Sequence, residues 1–481
     1  MALILITLLP LLAALSCWIP PFRKAAWGLT MTAAWIVFAL SLVVWRGVLE
    51  NGQFVGLPRW IETDGLGALV LVIVSFVTAL ASVFAGGYMR RTLHEPERLW
   101  WYYCNTNLFS FALLVVPAVA DPNLTWVGVE LITLFAILLV GFERSRTSLE
   151  AAWKYAVLTM MGAPISLFGF FTLFWAYHSV SGGAPETWEA VQAAAPRMDP
   201  NLLKISFLLI FVGFGSKTGF APVHTWLPDA HSQAPSPVCA VLSGVKTTVP
   251  LYVILRLLAV ILASPMARIG NWMIVLGLFS VAIAAFLLLQ VRDYKRMFAY
   301  STVEHMGIIL TAAGLASGAG DFGAVSQMMN HAVTKSLCFL VAGTVLLVLS
   351  TREIGSVRGL LRVSPFAGSA LLLCSLAIAG APPFPIFLSE FSIISAGIRG
   401  GQYTAVAILA TLIVIAFVAI FRHVNEMAFG EPIMPVEAKR LPTSCWVAVV
   451  AAAIPVVVLG LYIPAPVNAL LELAARQLGG H

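Results

Sequence analysis

The sequence predicts an all-α, polytopic membrane protein with about fourteen transmembrane helices. Of its 481 residues, 60% are hydrophobic and only 10% are charged, and the mean hydropathy is +0.93. Soluble domains carry about 25% charged residues, so a water-soluble core with a single anchor is excluded. The net charge of +6 comes from basic residues scattered over short loops without a basic stripe, which excludes nucleic acid as a partner.

Apolar stretches long enough to cross a bilayer follow one another along the whole chain. A transmembrane helix needs about 20 apolar residues. On this rule the predicted spans lie near residues 2–20, 26–46, 65–88, 100–120, 122–142, 151–177, 202–222, 238–262, 271–290, 296–316, 322–349, 366–396, 403–428 and 443–462. The segments 47–64 and 178–201 are the longest loops between these spans, and we expect both to be irregular.

Lys and Arg are distributed unequally between alternate loops, and this predicts the orientation of the chain. The odd-numbered loops hold Arg23, Lys24, Arg90, Arg91, Arg98, Arg144, Arg146, Arg292, Lys295, Arg296, Arg352, Arg358, Arg362, Arg422, Lys439 and Arg440. The even-numbered loops hold Arg46, Arg59, Arg197, Arg268 and Arg399. Because Lys and Arg are enriched in cytoplasmic loops, we expect a bacterial-type inner-membrane protein with both termini outside.

Two of the predicted helices contain helix-breaking residues. The seventh carries Gly219 and Pro222, and the twelfth carries Pro382 and Pro383. Proline lacks an N–H, and its ring clashes with the carbonyl four residues earlier, so both helices should be interrupted. Interrupted helices at matching positions in two halves are typical of inverted repeats with ion sites at the breaks. We therefore predict helices 1–3 (residues 1–98), two five-helix repeats (99–265 and 266–430), and helix 14 with a tail (431–481).

Seven ionisable residues fall inside the apolar spans and form a predicted ion pathway. They are Glu130, Lys217, Lys246, His305, His331, Lys335 and Glu390. A lysine at the bilayer centre costs about 2.5–3.5 kcal/mol on insertion scales and by default marks an ion or proton pathway. Histidine relays protons at physiological pH, and His331 and Lys335, four residues apart, share one helix face.

Simpler structural roles are open for several of these residues. Lys217 and Lys246 could each reach the headgroups from near a helix end. Glu130 and Lys217 could form a purely structural pair, and His305 could be a core histidine bonded to a carbonyl. The neighbouring Glu304 is expected on a different side of the helix from His305. Pro250, four residues after Lys246, should kink the eighth helix at that lysine.

No cofactor or metal site is predicted in this chain. The six cysteines are far apart and form no C-x-x-C pair, so no zinc, haem or iron–sulfur spacing is present. His224, Asp229 and His231 lack the regular helical spacing of a metal-binding histidine pair. We interpret these three residues as loop structure or as a proton entry.

The stretch from Lys217 to His231, KTGFAPVHTWLPDAH, resembles the signature of the antiporter-like membrane subunits of respiratory complex I. The same family includes multisubunit Na⁺/H⁺ antiporters and the membrane arms of energy-converting hydrogenases. The resemblance continues through Ala299–Gly307, His331–Lys335 and Gly380–Phe384. Within the family, the segments Val303–Gly307 and Leu388–Phe391 are most similar to the F component of hydrogenase 4.

The resemblance implies fourteen helices with two inverted five-helix repeats. It also implies that Glu130 and Lys217 form the ion pair of the family, that Lys246 is its bridging lysine, and that Glu390 is the terminal residue toward the outside. The implied function is a non-catalytic, proton-translocating subunit of a multi-subunit redox complex. Iron–sulfur, nickel–iron or quinone sites are then expected only in the partner membrane and peripheral subunits.

Two other functions are compatible with the sequence. The chain could belong to a secondary Na⁺/H⁺ antiporter or a proton-coupled ion or bicarbonate uptake system without a redox partner. The transported ion could be H⁺ or Na⁺, because a carboxylate such as Glu130 can serve either. Alternatively, the subunit could be largely structural and merely retain channel residues, in which case removing its buried charges should harm assembly as much as transport.

Overall fold

The computed structural model describes residues 1–93, 95–264, 269–315, 317–432 and 440–479, and they form a helical bundle. Its helices are α1 (Ala2–Trp18), α2 (Pro20–Arg23), α3 (Ala26–Asn51), α4 (Gly65–Thr92), α5 (Leu99–Val115), α6 (Pro122–Val140), α7 (Arg146–Met160), α8 (Gly162–Ser181), α9 (Trp188–Ala194), α10 (Pro200–Thr218), α11 (Trp226–Gln233), α12 (Ser236–Val241), α13 (Thr248–Ala263), α14 (Gly270–Leu288), α15 (Tyr294–Gly314), α16 (Gly318–Leu349), α17 (Leu360–Val363), α18 (Pro365–Ile378), α19 (Pro385–Arg399), α20 (Tyr403–Ala428), α21 (Thr443–Leu461) and α22 (Ala465–Gly479). Arg268 and Lys439 of the predicted loops lie outside the described residues.

Among the described residues, ten helical segments are long and apolar enough to cross a membrane. Each predicted span coincides with a helix or a helix pair, but the first, fourth, tenth and twelfth are not among these ten. Helices α1 and α18 are apolar but short, α5 has 17 residues, and α15 carries charged side chains. The all-α polytopic architecture is confirmed, whereas the count of fourteen spans stays a prediction.

Both predicted helix breaks are present. Helix α10 ends at Thr218, and Gly219 adopts the left-handed conformation (φ 91°) before α11 begins. Helix α18 ends at Ile378, and Gly380 (φ 74°) precedes α19. Left-handed backbone favours glycine because it has no Cβ. The grouping of the helices into two inverted repeats, with the boundaries given above, stays a prediction.

The eighth predicted span is one rod, Ser236–Ala263, whose geometry changes near its middle. The segment Leu242–Lys246 is π-helical, and α13 then continues through Pro250. The disturbance expected around Lys246 is therefore present as a widened helical turn. Single π-helical turns inside α-helices are frequent at functional sites.

Two loops and the tail contain structure that the sequence did not predict. The loop 47–64, expected to be irregular, forms an antiparallel hairpin of β1 (Gln53–Leu57) and β2 (Ile61–Asp64). The loop 178–201, also expected to be irregular, contains α9. Beyond the last predicted span, α22 packs against α4, α13 and α16. The side-chain oxygen of Gln477 on α22 accepts a hydrogen bond from the Leu66 backbone N–H at 2.9 Å.

Small residues let neighbouring helices approach closely. Helices α14 and α15 cross at Gly277 and Gly307, where a Cβ on either glycine would come within 2.7 Å of the carbonyl oxygen of the other. Apolar side chains give little drive for helix association in lipid, so close packing of small residues supplies part of it. This contact holds α15, which carries several of the predicted site residues, at a fixed depth in the bundle.

Candidate ion-translocation site

A buried ion pair joins α6 and α10 next to the first helix break. The Nζ atom of Lys217 donates to Glu130 Oε2 at 3.0 Å and to Thr133 Oγ1 at 2.9 Å. Lys217 is fully buried, whereas the side chain of Glu130 is 21% exposed. Snorkelling of Lys217 to the headgroups is therefore excluded. A buried charge is tolerated only when it is paired and hydrogen-bonded, and Glu130 and Thr133 meet that requirement.

Lys246 lies next to this pair, at the end of the π-helical turn. Its Nζ donates to the backbone carbonyl of Lys217 at 2.8 Å. The same Nζ atom lies 4.0 Å from the centre of the Trp226 ring and 4.8 Å from that of the Tyr155 ring. Trp226 is fixed in turn, because its Nε1 donates to the Ser216 carbonyl at 2.8 Å. Lys246 is thus held by both sides of the first helix break, and it is also fully buried.

Ser243, one turn before Lys246, connects the surroundings of Lys246 to α15 and α16. Its carbonyl accepts a hydrogen bond from His331 Nε2 at 3.2 Å. Its hydroxyl lies 2.6 Å from the hydroxyl of Thr302 on α15. The rings of His305 and His331 are 5.2 Å apart, so the polar groups continue from the π-helical turn into α15 and α16 without leaving the interior.

His305 connects this point to the second helix break. Its Nε2 donates to the Ile378 carbonyl, the last of α18, at 3.0 Å. Because a carbonyl only accepts, Nε2 carries the hydrogen, and Nδ1 accepts from the Gln327 amide at 2.7 Å. The other end of the Gln327 amide accepts from the Ser389 hydroxyl. The polar chain therefore reaches the residue next to Glu390.

Lys335 and Glu304 form a second branch. Lys335 is fully buried, and its Nζ donates to the Phe298 carbonyl at 2.5 Å and to the Ser301 hydroxyl. Glu304 is only 4% exposed and lies within electrostatic range of Lys335. Among the described residues, its Oε2 has no hydrogen-bond partner. The sequence placed Glu304 on a different side of α15 from His305, but both side chains are buried in the bundle.

Glu390 lies at the second break, near the start of α19, and is 5% exposed. Its carboxyl group packs directly against Gly380, where a Cβ would overlap Oε2. Glu304 lies within electrostatic range of Glu390. The seven predicted residues therefore lie in the interior of the bundle, where six of them are buried and the side chain of Glu130 is 21% exposed.

The residues considered for metal binding, His224, Asp229 and His231, do not share their contacts. Asp229 accepts from Lys154 Nζ at 3.1 Å and from Arg296 at 2.7 Å, which clamps α11 between α7 and α15. His231 is fully buried, and its Nδ1 lies 2.7 Å from the Leu227 carbonyl. His231 also lies within electrostatic range of Lys246. Within the described ranges, no group of three or more His, Cys, Asp or Glu side chains is arranged to hold a metal ion.

Two residues near the path, Glu304 and His231, were not among the predicted pathway residues. A signal for Glu304 was present, because its i, i+3 spacing from Ser301 puts it on the face of α15 that carries the Ser301 hydroxyl, which accepts from Lys335. The position of His231 depends on how α11 packs after the break, which no local pattern specifies.

A further buried carboxyl group, Glu186, lies in the loop before α9, away from the path. Asn123 donates its amide Nδ2 to Glu186 Oε2 at 2.9 Å. Burial raises the pKa of Glu186, and the hydrogen bond from Asn123 lowers it in part, so that the pKa is about 7. This group therefore changes charge near neutral pH in the folded protein.

Comparison with known proteins gives consistent matches along the chain. A family model described as NADH:quinone oxidoreductase/Mrp antiporter, TM, matches residues 121–416. A hydrogenase-4 component F homolog of Methylacidiphilum infernorum is 34% identical over 83% of this chain and 85% of its own length. An NADH-quinone oxidoreductase subunit N of Desulforudis audaxviator is 28% identical over 95% of both chains. A chain of the membrane-bound sulfane sulfur reductase, an archaeal respiratory membrane complex, shares the fold with a TM-score of 0.88 over 99% of this chain and 97% of its own, at 23% identity.

Proposed function

Because the chain belongs to the NADH:quinone oxidoreductase/Mrp antiporter transmembrane family and is an integral, multi-pass membrane protein, we propose that it is the proton-translocating subunit of a multi-subunit redox complex. The similarity to a hydrogenase-4 component F homolog favours a hydrogenase-4-type complex. The similarity to an NADH-quinone oxidoreductase subunit N is also compatible with a complex-I-like assembly. The observation that carries the proposal is the path of buried ionisable groups between the two helix breaks.

The first step is electrostatic. A redox event in partner subunits shifts the balance of the Glu130–Lys217 pair, whose Nζ–Oε2 distance of 3.0 Å makes it sensitive to any nearby charge. When the carboxylate no longer compensates the ammonium group, Lys217 releases its proton. Lys246 is the next acceptor, because its Nζ already bonds to the backbone of Lys217. In this step one proton passes from the Lys217 ammonium group to a neutral Lys246 amine, so the two lysines share one excess proton.

The second step moves the proton across the centre of the bundle. The route runs from Lys246 to His331 and then to the neighbouring His305 ring. Because His331 Nε2 donates to the Ser243 carbonyl, the incoming proton is accepted at Nδ1, which has no hydrogen-bond partner among the described residues. His305 is held as the neutral Nε2–H tautomer, so it accepts a proton at Nδ1. Release from Nε2 requires this N–H to leave the Ile378 carbonyl first, because a backbone carbonyl does not take up a proton. Accepting at Nδ1 requires the Gln327 amide to turn away first. Gln327 therefore controls passage at this point.

The last step delivers the proton to the second break. Lys335 lies within electrostatic range of both His305 and Glu304. Its ammonium group gives a proton to the Glu304 carboxylate, and the proton from His305 then restores the ammonium group. Glu304 is in turn within range of Glu390, from which the proton leaves on the outer side. Moving one charge across the membrane potential requires about 2.3 kcal/mol per 100 mV, and redox chemistry at iron–sulfur, nickel–iron or quinone sites of the partners supplies it in this mechanism.

We also propose a bacterial-type inner membrane location with both termini outside, and two repeats at residues 99–265 and 266–430. The function is tested first by purifying the tagged chain in mild detergent and identifying the co-purifying proteins by mass spectrometry. Hydrogenase-like or iron–sulfur subunits are expected. The intact assembly is then reconstituted into vesicles, where Lys217→Ala should abolish proton translocation but leave the redox reaction measurable. Unchanged translocation in this variant would overturn the pathway.

A second candidate is a subunit of a secondary Na⁺/H⁺ antiporter, because the matching family model covers Mrp antiporters as well. A proton-coupled ion or bicarbonate uptake system is of the same kind. This function predicts that only membrane subunits co-purify. It also predicts that an imposed pH gradient drives Na⁺ or bicarbonate movement in vesicles without any electron donor.

A further inference from the structure

A groove of about 530 Å³ opens at one side of the bundle, where the ends of several helices meet. The turn after α2, the start of α3, the end of α4 and the start of α5 line it. Arg23, Lys24 and Arg90 contribute three positive charges, and Glu97 contributes one carboxylate. Among the described residues, none of the three cations has a carboxylate within ion-pair distance. The groove therefore presents uncompensated positive charge.

Tryptophan rings hold two of these cations in place. The guanidinium group of Arg23 lies 4.2 Å above the Trp100 ring, and that of Arg90 lies 5.1 Å above the Trp27 ring. Trp27 is fixed between α3 and α4, because its Nε1 donates to the Ser82 carbonyl at 3.1 Å. Arg23 Nη2 also donates to the Trp18 carbonyl at 3.4 Å. An arginine stacked on an aromatic face presents five N–H donors at its edge, so the others remain available for the oxygens of a phosphate. The two side chains are thus ordered before any ligand arrives.

The depth of the groove matches the boundary between membrane and water. Helix α1 ends just before it and α3 starts just after it, and tryptophan is enriched at this level of membrane proteins. Trp18, Ile19 and Phe22 lie beside it and are 53%, 48% and 46% exposed. The site therefore combines cations at headgroup depth with an apolar surface that continues toward the bilayer interior.

We propose that this groove binds the phosphate headgroup of an anionic glycerophospholipid, with the acyl chains along Trp18, Ile19 and Phe22. Three cations against one carboxylate leave two positive charges, which suits a headgroup with one or two phosphates. Basic pockets at the membrane boundary between transmembrane helices bind anionic headgroups in this way. The rim of exposed apolar side chains favours a lipid over a free phosphate, because a free phosphate would make no use of it.

The test uses the full-length chain, stripped of lipid in detergent and titrated with phosphatidylglycerol, cardiolipin or phosphatidylcholine. Native mass spectrometry counts the retained lipids. The variant Arg23→Gln/Lys24→Gln/Arg90→Gln is compared with Arg146→Gln/Arg362→Gln/Arg422→Gln, which removes three exposed cations from the same predicted side of the membrane. Each basic residue near a membrane surface contributes about fivefold to anionic-lipid affinity, so the groove variant should lose about a hundredfold and the control variant much less.

Specific outcomes would overturn the proposal. Equal retention of phosphatidylcholine, an equal loss in both triple variants, or saturation of the site by glycerol phosphate alone would each exclude a lipid headgroup site in the groove. So would a partner subunit that covers the groove in the purified assembly. If the triple variant does not fold, Lys24→Gln and the charge-preserving Lys24→Arg are compared instead. A fivefold loss is expected only for the glutamine variant.

Discussion

Replacing Glu130 by glutamine should uncouple the first step of translocation. Lys217 is fully buried, and its Nζ has only Glu130 and Thr133 within hydrogen-bond distance in the described structure. Breaking a buried ion pair by removing one partner costs about 3–5 kcal/mol. Because the side chain of Glu130 is 21% exposed, the lower end of this range applies. A free-energy loss of about 3 kcal/mol corresponds to about a hundredfold in an equilibrium constant.

The assay is proton uptake by vesicles that contain the purified assembly, followed with a pH-sensitive dye while the redox reaction runs. Glu130→Gln should reduce the initial rate of acidification at least tenfold. Glu130→Asp, which keeps the charge, should retain a larger fraction of the rate. The matched control is Glu426→Gln, because Glu426 pairs with Arg358 in an exposed ion pair, and such pairs contribute about 0–1 kcal/mol.

Two results would refute this reasoning. The first is a wild-type translocation rate in Glu130→Gln with the assembly intact on a native gel. The second is strict additivity of Glu130→Gln and Lys217→Met in the double variant, because residues of one ion pair should show a coupling energy. Loss of assembly in both single variants, with normal transport by the residual complex, would favour the structural role instead.

Three further changes test other parts of the molecule. Glu304→Gln should slow translocation at least tenfold, because it removes the carboxyl group between Lys335 and Glu390; an unchanged vesicle assay would exclude Glu304 from the route. Gly380→Ala should lower the rate and the thermal midpoint together, because its Cβ overlaps the Glu390 carboxyl group and φ is 74°; normal rates would show that this carboxyl group tolerates displacement. For Glu186, the folded pKa of about 7 lies above the ordinary 4.5, so the folded state binds more protons between these values, and stability falls as pH rises through that window. Glu186→Gln should remove this fall, so the thermal midpoint of the variant minus that of the wild type should be higher at pH 8 than at pH 5. An identical pH dependence of the thermal midpoint in both proteins would contradict the assignment.

The helix breaks and the Glu130–Lys217 pair are features that could be predicted from the local sequence. Gly219 and Pro222 end a helix for reasons contained in their own covalent structure, so the position of the first break follows from the sequence. A lysine in an apolar span needs a partner, and Glu130 is a carboxylate in the span two before it. By contrast, the 2.8 Å bond from Lys246 to the Lys217 carbonyl depends on the π-helical turn. Pro250 predicted a disturbance of the helix at this point, but not its π-helical form.

The sequence by itself determined the membrane class, the helical architecture, the two interruptions and the set of buried ionisable residues, because hydropathy, proline and charge act locally. Only the tertiary structure decided which of these residues meet. It brought Glu304 within electrostatic range of Lys335, joined His305 to Gln327 and to the second break, and packed α22 and the β1–β2 hairpin onto the bundle. These contacts join residues that are distant in the chain, so they depend on how the helices pack and not on any pattern within one helix.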